Sequence, residues 1–157
     1  MDTFEKLLAF GEEGEHEVAK ELIKRGASVM PLYQFKNSHA PYILTLEKQV
    51  TSPDLICFSK KAFMVEVKTK NQWVSYKGLV ETGLDFRLFK QYERVKNSTN
   101  YDVFVFFNHK TKDPQGIYYC KLEEKTRYWD GCAKGKKVHK PMVFYDQKIL
   151  RKLKLSD

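Results

Sequence analysis

The positions Phe4, Leu8, Gly11, Glu15, Val18 and Leu22 recur at alternating steps of four and three, which predicts a helix over residues 4–25 with Gly26 as its stop. At about 100° per residue, Glu15 falls inside the apolar stripe, while Glu13, Glu17 and Glu21 are expected to point away from it. Ala27–Phe35 and Tyr42–Leu46 read as strands, separated by the polar Lys36-Asn37-Ser38-His39 stretch and Pro41. Residues 52–70 read as a hairpin whose strands, Asp54–Phe58 and Ala62–Thr69, join across Ser59-Lys60-Lys61. An irregular loop carrying Trp73 and Tyr76 is expected over 71–84. Asp85 then caps a helix to about Asn97, with Leu88, Phe89, Tyr92 and Val95 on one face and Arg87, Lys90, Gln91 and Arg94 on the other. The apolar run Tyr101–Phe107 predicts a central strand covered on both faces, with Gly116–Leu122 as its neighbour. Residues 123–141 look irregular, followed by a short strand at Met142–Tyr145 and a short basic helix at Lys148–Leu155.

These elements fit the 157 residues as one α/β domain, a central mixed sheet flanked by helices, with a core at about 4–122 and a basic extension at about 123–157. No apolar run approaches the ~18–20 residues of a membrane span. Acids in Met1-Asp2-Thr3-Phe4-Glu5-Lys6 argue against a secretory leader. Three separated cysteines without a C-x-x-C favour reduced thiols in a cytoplasm. No G-x-x-x-x-G-K-S/T loop is present, so no nucleotide cofactor is expected.

Charge then narrows the partner. Twenty-eight Lys and Arg against twenty Asp and Glu give a net +8, compatible with a polyanion. The excess is uneven: residues 1–30 carry seven acids and four bases, whereas 131–155 carry Lys134, Lys136, Lys137, Lys140, Lys148, Arg151, Lys152 and Lys154 against Asp146 alone. Contact with a nucleic-acid backbone and a merely solvated lysine face both account for such a tail.

Within the strand 62–69, Glu66 and Lys68 share one face and Phe63, Val65 and Val67 the other. Pairing of the hairpin brings Asp54 beside Glu66, and the helix carrying Glu15 must pack on the same sheet. Converging carboxylates repel unless a cation neutralises them, and an all-oxygen set suits Mg²⁺ or Mn²⁺. Such an ion lowers the pKa of a bound water, and Lys68 is suited to offset charge on a phosphoryl transition state. A surface salt-bridge ladder would place the same three residues on a half-exposed hairpin.

Pro53-Asp54, eleven residues, then Glu66-Val67-Lys68 resembles the signature of the PD-(D/E)xK nuclease superfamily. Gly11, Glu15 and Gly26 are placed like the glycine, acid and closing glycine of the first helix in Holliday-junction-resolvase-like members, and EVKTK followed by Thr82-Gly83-Leu84-Asp85 is similar to small phage-type or bacterial nucleases. The resemblance covers about residues 10–108. It implies a restriction-endonuclease-like core in a bacterial or viral-host cytoplasm, with Asp54, Glu66, the Val67 carbonyl and Glu15 as metal ligands and Lys68 as catalytic lysine. The implied activity is metal-dependent cleavage of DNA leaving 5′-phosphates. A homodimeric junction resolvase and a non-catalytic nucleic-acid-binding module of the same fold are the alternatives. Arg87, Lys90, Gln91, Arg94, Lys134, Lys136 and Lys137 are the expected DNA contacts, and His109, ending the central strand, suits a DNA contact better than a metal ligand. A second acid-then-E-x-K pattern, Asp113 with Glu123-Glu124-Lys125, has nearly the same spacing but falls in a turn and past the end of a strand.

Overall fold

The structure, a computed structural model, describes residues 3–32, 41–111 and 114–155, with side chains from residue 12 onward. The expectations for Tyr33–His39, for Asp113 and for the side chains of Phe4 and Leu8 lie outside these residues.

Helix α1 (Thr3–Lys24) ends as its sequence requires. Gly26, at φ +90°, donates to the Ile23 carbonyl (2.9 Å) and Ala27 donates to that of Leu22 (3.1 Å). This paired closure needs a left-handed residue, which glycine adopts without a Cβ clash. Strand β1 (Ser28–Pro31) and the hairpin of β2 (Tyr42–Leu44) and β3 (Gln49–Thr51) follow, then β4 (Leu55–Phe58) and β5 (Ala62–Lys70). Residues 71–84 are not an irregular loop: β6 (Val74–Tyr76) and β7 (Leu79–Asp85) form a hairpin turned by Lys77 and Gly78, both at positive φ. The alternation that marks strands is obscured there, because Glu81 and Thr82 are polar yet buried.

Helix α2 (Phe86–Thr99) is capped as expected, the Asp85 side chain accepting the Arg87 N–H at 2.8 Å, and it buries Phe89, Tyr92 and Val95. Strands β8 (Asp102–His109) and β9 (Gly116–Lys121) lead to β10 (Arg127–Trp129), a small hairpin of β11 (Cys132–Ala133) and β12 (Lys136–Lys137), then β13 (Met142–Asp146) and β14 (Arg151–Leu153). The expected terminal helix is instead a 3-10 turn at Gln147–Ile149 followed by β14.

The strands build a mixed six-stranded sheet in the order β1-β4-β5-β8-β9-β14, in which β5 and β8 run parallel and every other pairing is antiparallel. A second antiparallel sheet has the order β10-β13-β7-β6. Val18 and Leu22 of α1 pack on Val65, Val67 and Phe106 on one face of the large sheet, each fully buried aliphatic contributing roughly 1.5–3 kcal/mol. On the other face, Phe89, Tyr92 and Val95 of α2 join Leu84, Val143 and Tyr145 of the second sheet against Met64, Val105 and Phe107. Residues 127–153 are therefore no appended tail, since β13 lies inside one sheet and β14 edges the other.

The outward placement expected on α1 holds for Glu13, which is exposed. Glu17 instead accepts hydrogen bonds from Asn108 (2.7 Å) and Lys110 (2.5 Å) at the end of the sheet, and Glu21 is buried beside Lys24. Among the described residues no helix is long and apolar enough to cross a membrane.

Candidate active site

Strand β5 lies between β4 and β8, with α1 on one face and α2 and the second sheet on the other, so its polar residues must find partners inside. The register Leu55↔Val65 extended by one step places Asp54 opposite Glu66. There β4 has ended, and the Asp54 carboxylate takes over from the missing backbone, accepting the Val67 N–H at 2.7 Å. A strand residue's N–H and C=O point to the same side, so the Val67 carbonyl also faces the Asp54 edge. Glu66 is 2% exposed. Its Oε1 meets Lys68 Nζ at 2.5 Å, while its Oε2 accepts no hydrogen bond among the described residues. A salt-bridge ladder on the surface is thus excluded for Glu66: one oxygen of a buried carboxylate is left over.

More carboxyl groups surround this pair than the one charge of Lys68 can neutralise. Burial, with the Glu66 charge behind it, pushes the Glu15 carboxyl up to about 7. The same two causes hold Asp54 well above the usual carboxylate range, against the opposing pull of Lys68 and the Val67 N–H. Burial alone would lower Lys68, but the Glu66 and Asp54 charges outweigh it and raise its pKa, so Lys68 is held as an ammonium ion. Tyr92, from α2, also faces the cluster: burial and then the Glu66 and Asp54 charges raise its phenol well above the ordinary tyrosine value. Nothing in the sequence marked Tyr92 apart from its place on the apolar face of α2.

Among the described residues no group of three or more Asp, Glu, His or Cys side chains forms a preassembled metal-ligand set. The donors present still fit a hard divalent ion. Mg²⁺ keeps several waters and is held by one or two carboxylates, and Asp54, the free Glu66 oxygen and the Val67 carbonyl supply that number. Glu15 belongs to the same electrostatic cluster, coupled to both Glu66 and Lys68.

The residues expected to touch DNA fall in two places. Arg87, Lys90 and Arg94 line a groove of about 550 Å³ between α2 and the β2–β3 hairpin, joined there by Lys48, which sequence reasoning did not single out. Gln91 is committed to the fold, because its side-chain carbonyl accepts the Thr51 N–H at 2.9 Å. Lys90 shares its charge with Glu93 at 2.5 Å. Lys134, Lys136 and Lys137 lie on the exposed β11–β12 hairpin, an ordered element where irregular chain was expected.

His109 is not a surface contact. It is 2% exposed and stacked on Trp73, with ring centroids 3.8 Å apart. Trp73 donates its indole N–H to Pro114 (3.1 Å), the anchoring role that is commoner for a loop aromatic than stacking on a base. In the second E-x-K pattern, Glu123 is paired with Lys96, and Glu124 with Arg151 (2.9 Å) and the Lys121 N–H (2.7 Å), so its acids are taken up by structural contacts.

No family model matches the chain, and no curated protein matches it in sequence. Among solved structures it is similar to Archaeoglobus fulgidus Hjc, a Holliday junction resolvase from an archaeal hyperthermophile. The TM-score is 0.57 at 13% identity, over 88% of this chain and 89% of that one. The shared feature is architecture: the mixed sheet with helices against it is the restriction-endonuclease-like α/β fold.

Proposed function

We propose that this chain is a divalent-metal-dependent DNA endonuclease acting as one domain, with Asp54, Glu66 and the Val67 carbonyl as metal ligands, Glu15 as a further ligand directly or through water, and Lys68 as the catalytic lysine. The observation that carries this reading is the buried Glu66, one oxygen on Lys68 and the other accepting no hydrogen bond among the described residues, set opposite Asp54 where β4 ends. Bound there, Mg²⁺ or Mn²⁺ supplies a water of lowered pKa and polarises a phosphoryl oxygen. Lys68, kept protonated by its carboxylate neighbours, acts as a fixed positive charge toward the phosphoryl oxygens and not as a base. Water oxygen bonds to phosphorus while the bond to the 3′ oxygen breaks, leaving a 5′-phosphate and a 3′-hydroxyl. Arg87, Lys90 and Arg94 suit backbone phosphates along the groove beside α2, with Lys134, Lys136 and Lys137 reaching a second stretch; such contacts position the polymer without reading its sequence.

A homodimeric junction resolvase is the second reading, favoured by the fold shared with the archaeal resolvase. The test is conversion of a supercoiled plasmid, and separately of a four-way junction, with Mg²⁺, Mn²⁺ or EDTA. Wild type is expected to cleave only with metal, and Asp54→Ala, Glu66→Ala and Lys68→Ala to lose at least ~10²-fold in rate while retaining salt-sensitive binding. Unimpaired turnover in Asp54→Ala and Lys68→Ala together overturns the assignment. Junction cleavage far faster than plasmid nicking selects the resolvase, and binding without cleavage of either substrate selects a non-catalytic module.

A further inference from the structure

Strand β5 continues past Glu66 and Lys68 to Lys70, on the same face and about 7 Å further on. Lys70 lines a cavity of about 220 Å³ between the end of β5 and the second sheet. Among the described residues it has no carboxylate partner, and burial together with the Lys68 charge lowers its pKa to about 8. Thr82, on β7, lines the same cavity; it is 1% exposed and its hydroxyl has no hydrogen-bond partner. A cation without a carboxylate partner lining the cavity suits a ligand rich in acceptor oxygens.

The far wall is aromatic. Trp129 and His139 stack with centroids 5.7 Å apart and 22° between planes, and both line the cavity. Their placement is fixed by the base of the β11–β12 hairpin. The Trp129 indole N–H donates to the Cys132 carbonyl (2.9 Å), and the Gly131 carbonyl accepts the N–H groups of Val138 (2.9 Å) and His139 (3.0 Å). Gly131 permits this closure: φ is +84°, and a Cβ there would lie 2.1 Å from the His139 carbonyl oxygen. Lys134, Lys136 and Lys137 extend from the same hairpin. The cavity is smaller than the ~300–1,000 Å³ of ordinary ligand pockets and too small for a duplex.

We propose that this cavity holds one unpaired nucleotide of the strand passing Glu66 and Lys68, its phosphate on Lys70 and its base against Trp129 and His139. The proposal rests on the nuclease reading and narrows its substrate to DNA with an unpaired nucleotide beside the cut. A stacking surface next to a basic track is how unpaired strands are held without sequence preference.

Binding in EDTA of a short fluorescein-labelled oligothymidylate and of a duplex of equal length, followed by anisotropy, tests it. Trp129→Ala, His139→Ala and Lys70→Met are each expected to weaken single-strand binding about 5- to 100-fold, the span of one stacked base, with duplex binding unchanged within about twofold. The exposed His139 keeps the test sound should Trp129→Ala loosen the hairpin. Unchanged single-strand affinity in His139→Ala and Lys70→Met, equal losses on both ligands, or failure of the wild type to bind the oligothymidylate overturns the proposal. Plasmid cleavage on the same preparations separates the two readings. Metal-dependent cleavage without the selective loss removes the pocket and keeps the nuclease; the selective loss without cleavage does the reverse.

Discussion

His109 is sealed from water with both ring nitrogens unpartnered. Burial, reinforced by the Lys70 charge, lowers its pKa to about 4, so the ring is neutral at pH 7. The unfolded chain takes up this proton near pH 6.5 and the folded chain only near 4. In that window the unfolded state binds more protons, so the stability His109 contributes is complete above about pH 6.5 and is lost as pH falls through 4. The expected loss is up to ~3 kcal/mol. His109→Phe, which retains a ring against Trp73, should flatten the acid limb of a plot of Tm against pH; an unchanged limb contradicts the assignment. At this scale the placement of the side chains was legible where two patterns agreed: strand alternation put Glu66 and Lys68 on one face, and hairpin pairing put Asp54 opposite. Tyr92, Lys70 and Thr82 gave no such signal, because each became distinctive only through what other elements placed beside it.

At the scale of elements, α1 is held against β5 by the absence of a side chain. A Cβ on Gly14 would lie 2.0 Å from Thr69 Oγ1 and 3.3 Å from Thr69 Cβ. Gly14→Ala gains up to ~1 kcal/mol of helix propensity, but overpacking against a stiff β-branched neighbour costs ~1–3 kcal/mol, so net destabilisation is expected. Thr69→Ala removes the clashing hydroxyl, itself without a partner, and should restore much of the loss in Gly14→Ala/Thr69→Ala. Denaturant unfolding of the four proteins checks this, and additive effects would show that the two residues do not meet. Because Glu15 follows Gly14, the single substitution should also slow cleavage on the nuclease reading. The helices were legible because their periods, the Gly26 stop and the Asp85 cap are local. The strands β6, β7 and β14 were not, since Glu81 is buried by pairing with Arg127 at 2.6 Å, a partner 46 residues away, and basic residues on an edge strand resemble those on a solvated helix.

For the whole molecule, the two sheets depend on the last quarter of the chain. Val143 and Tyr145 of β13 fill the core shared with α2, and the Tyr145 hydroxyl donates to the Leu122 carbonyl at 2.9 Å. Leu153 of β14 completes the cluster beneath α1. A chain ending at residue 122 is therefore expected to lose cooperative unfolding, as its remaining apolar faces have no cover; circular dichroism melting measures this, and a sharp transition in the truncated chain would show residues 123–157 to be dispensable. Local sequence determined the helices, the central strand and the Asp54, Glu66 and Lys68 pattern, because periodicity, capping and the alternation of strand side chains act over a few residues. Tertiary structure alone decided that β10 and β13 belong to one sheet and β14 to another, that His109 is buried, that Gln91 is tied to Thr51, and that Lys70, Thr82, Trp129 and His139 line one cavity. Those outcomes depend on which surfaces meet across long sequence separations, and no local pattern encodes the partner of a buried polar group.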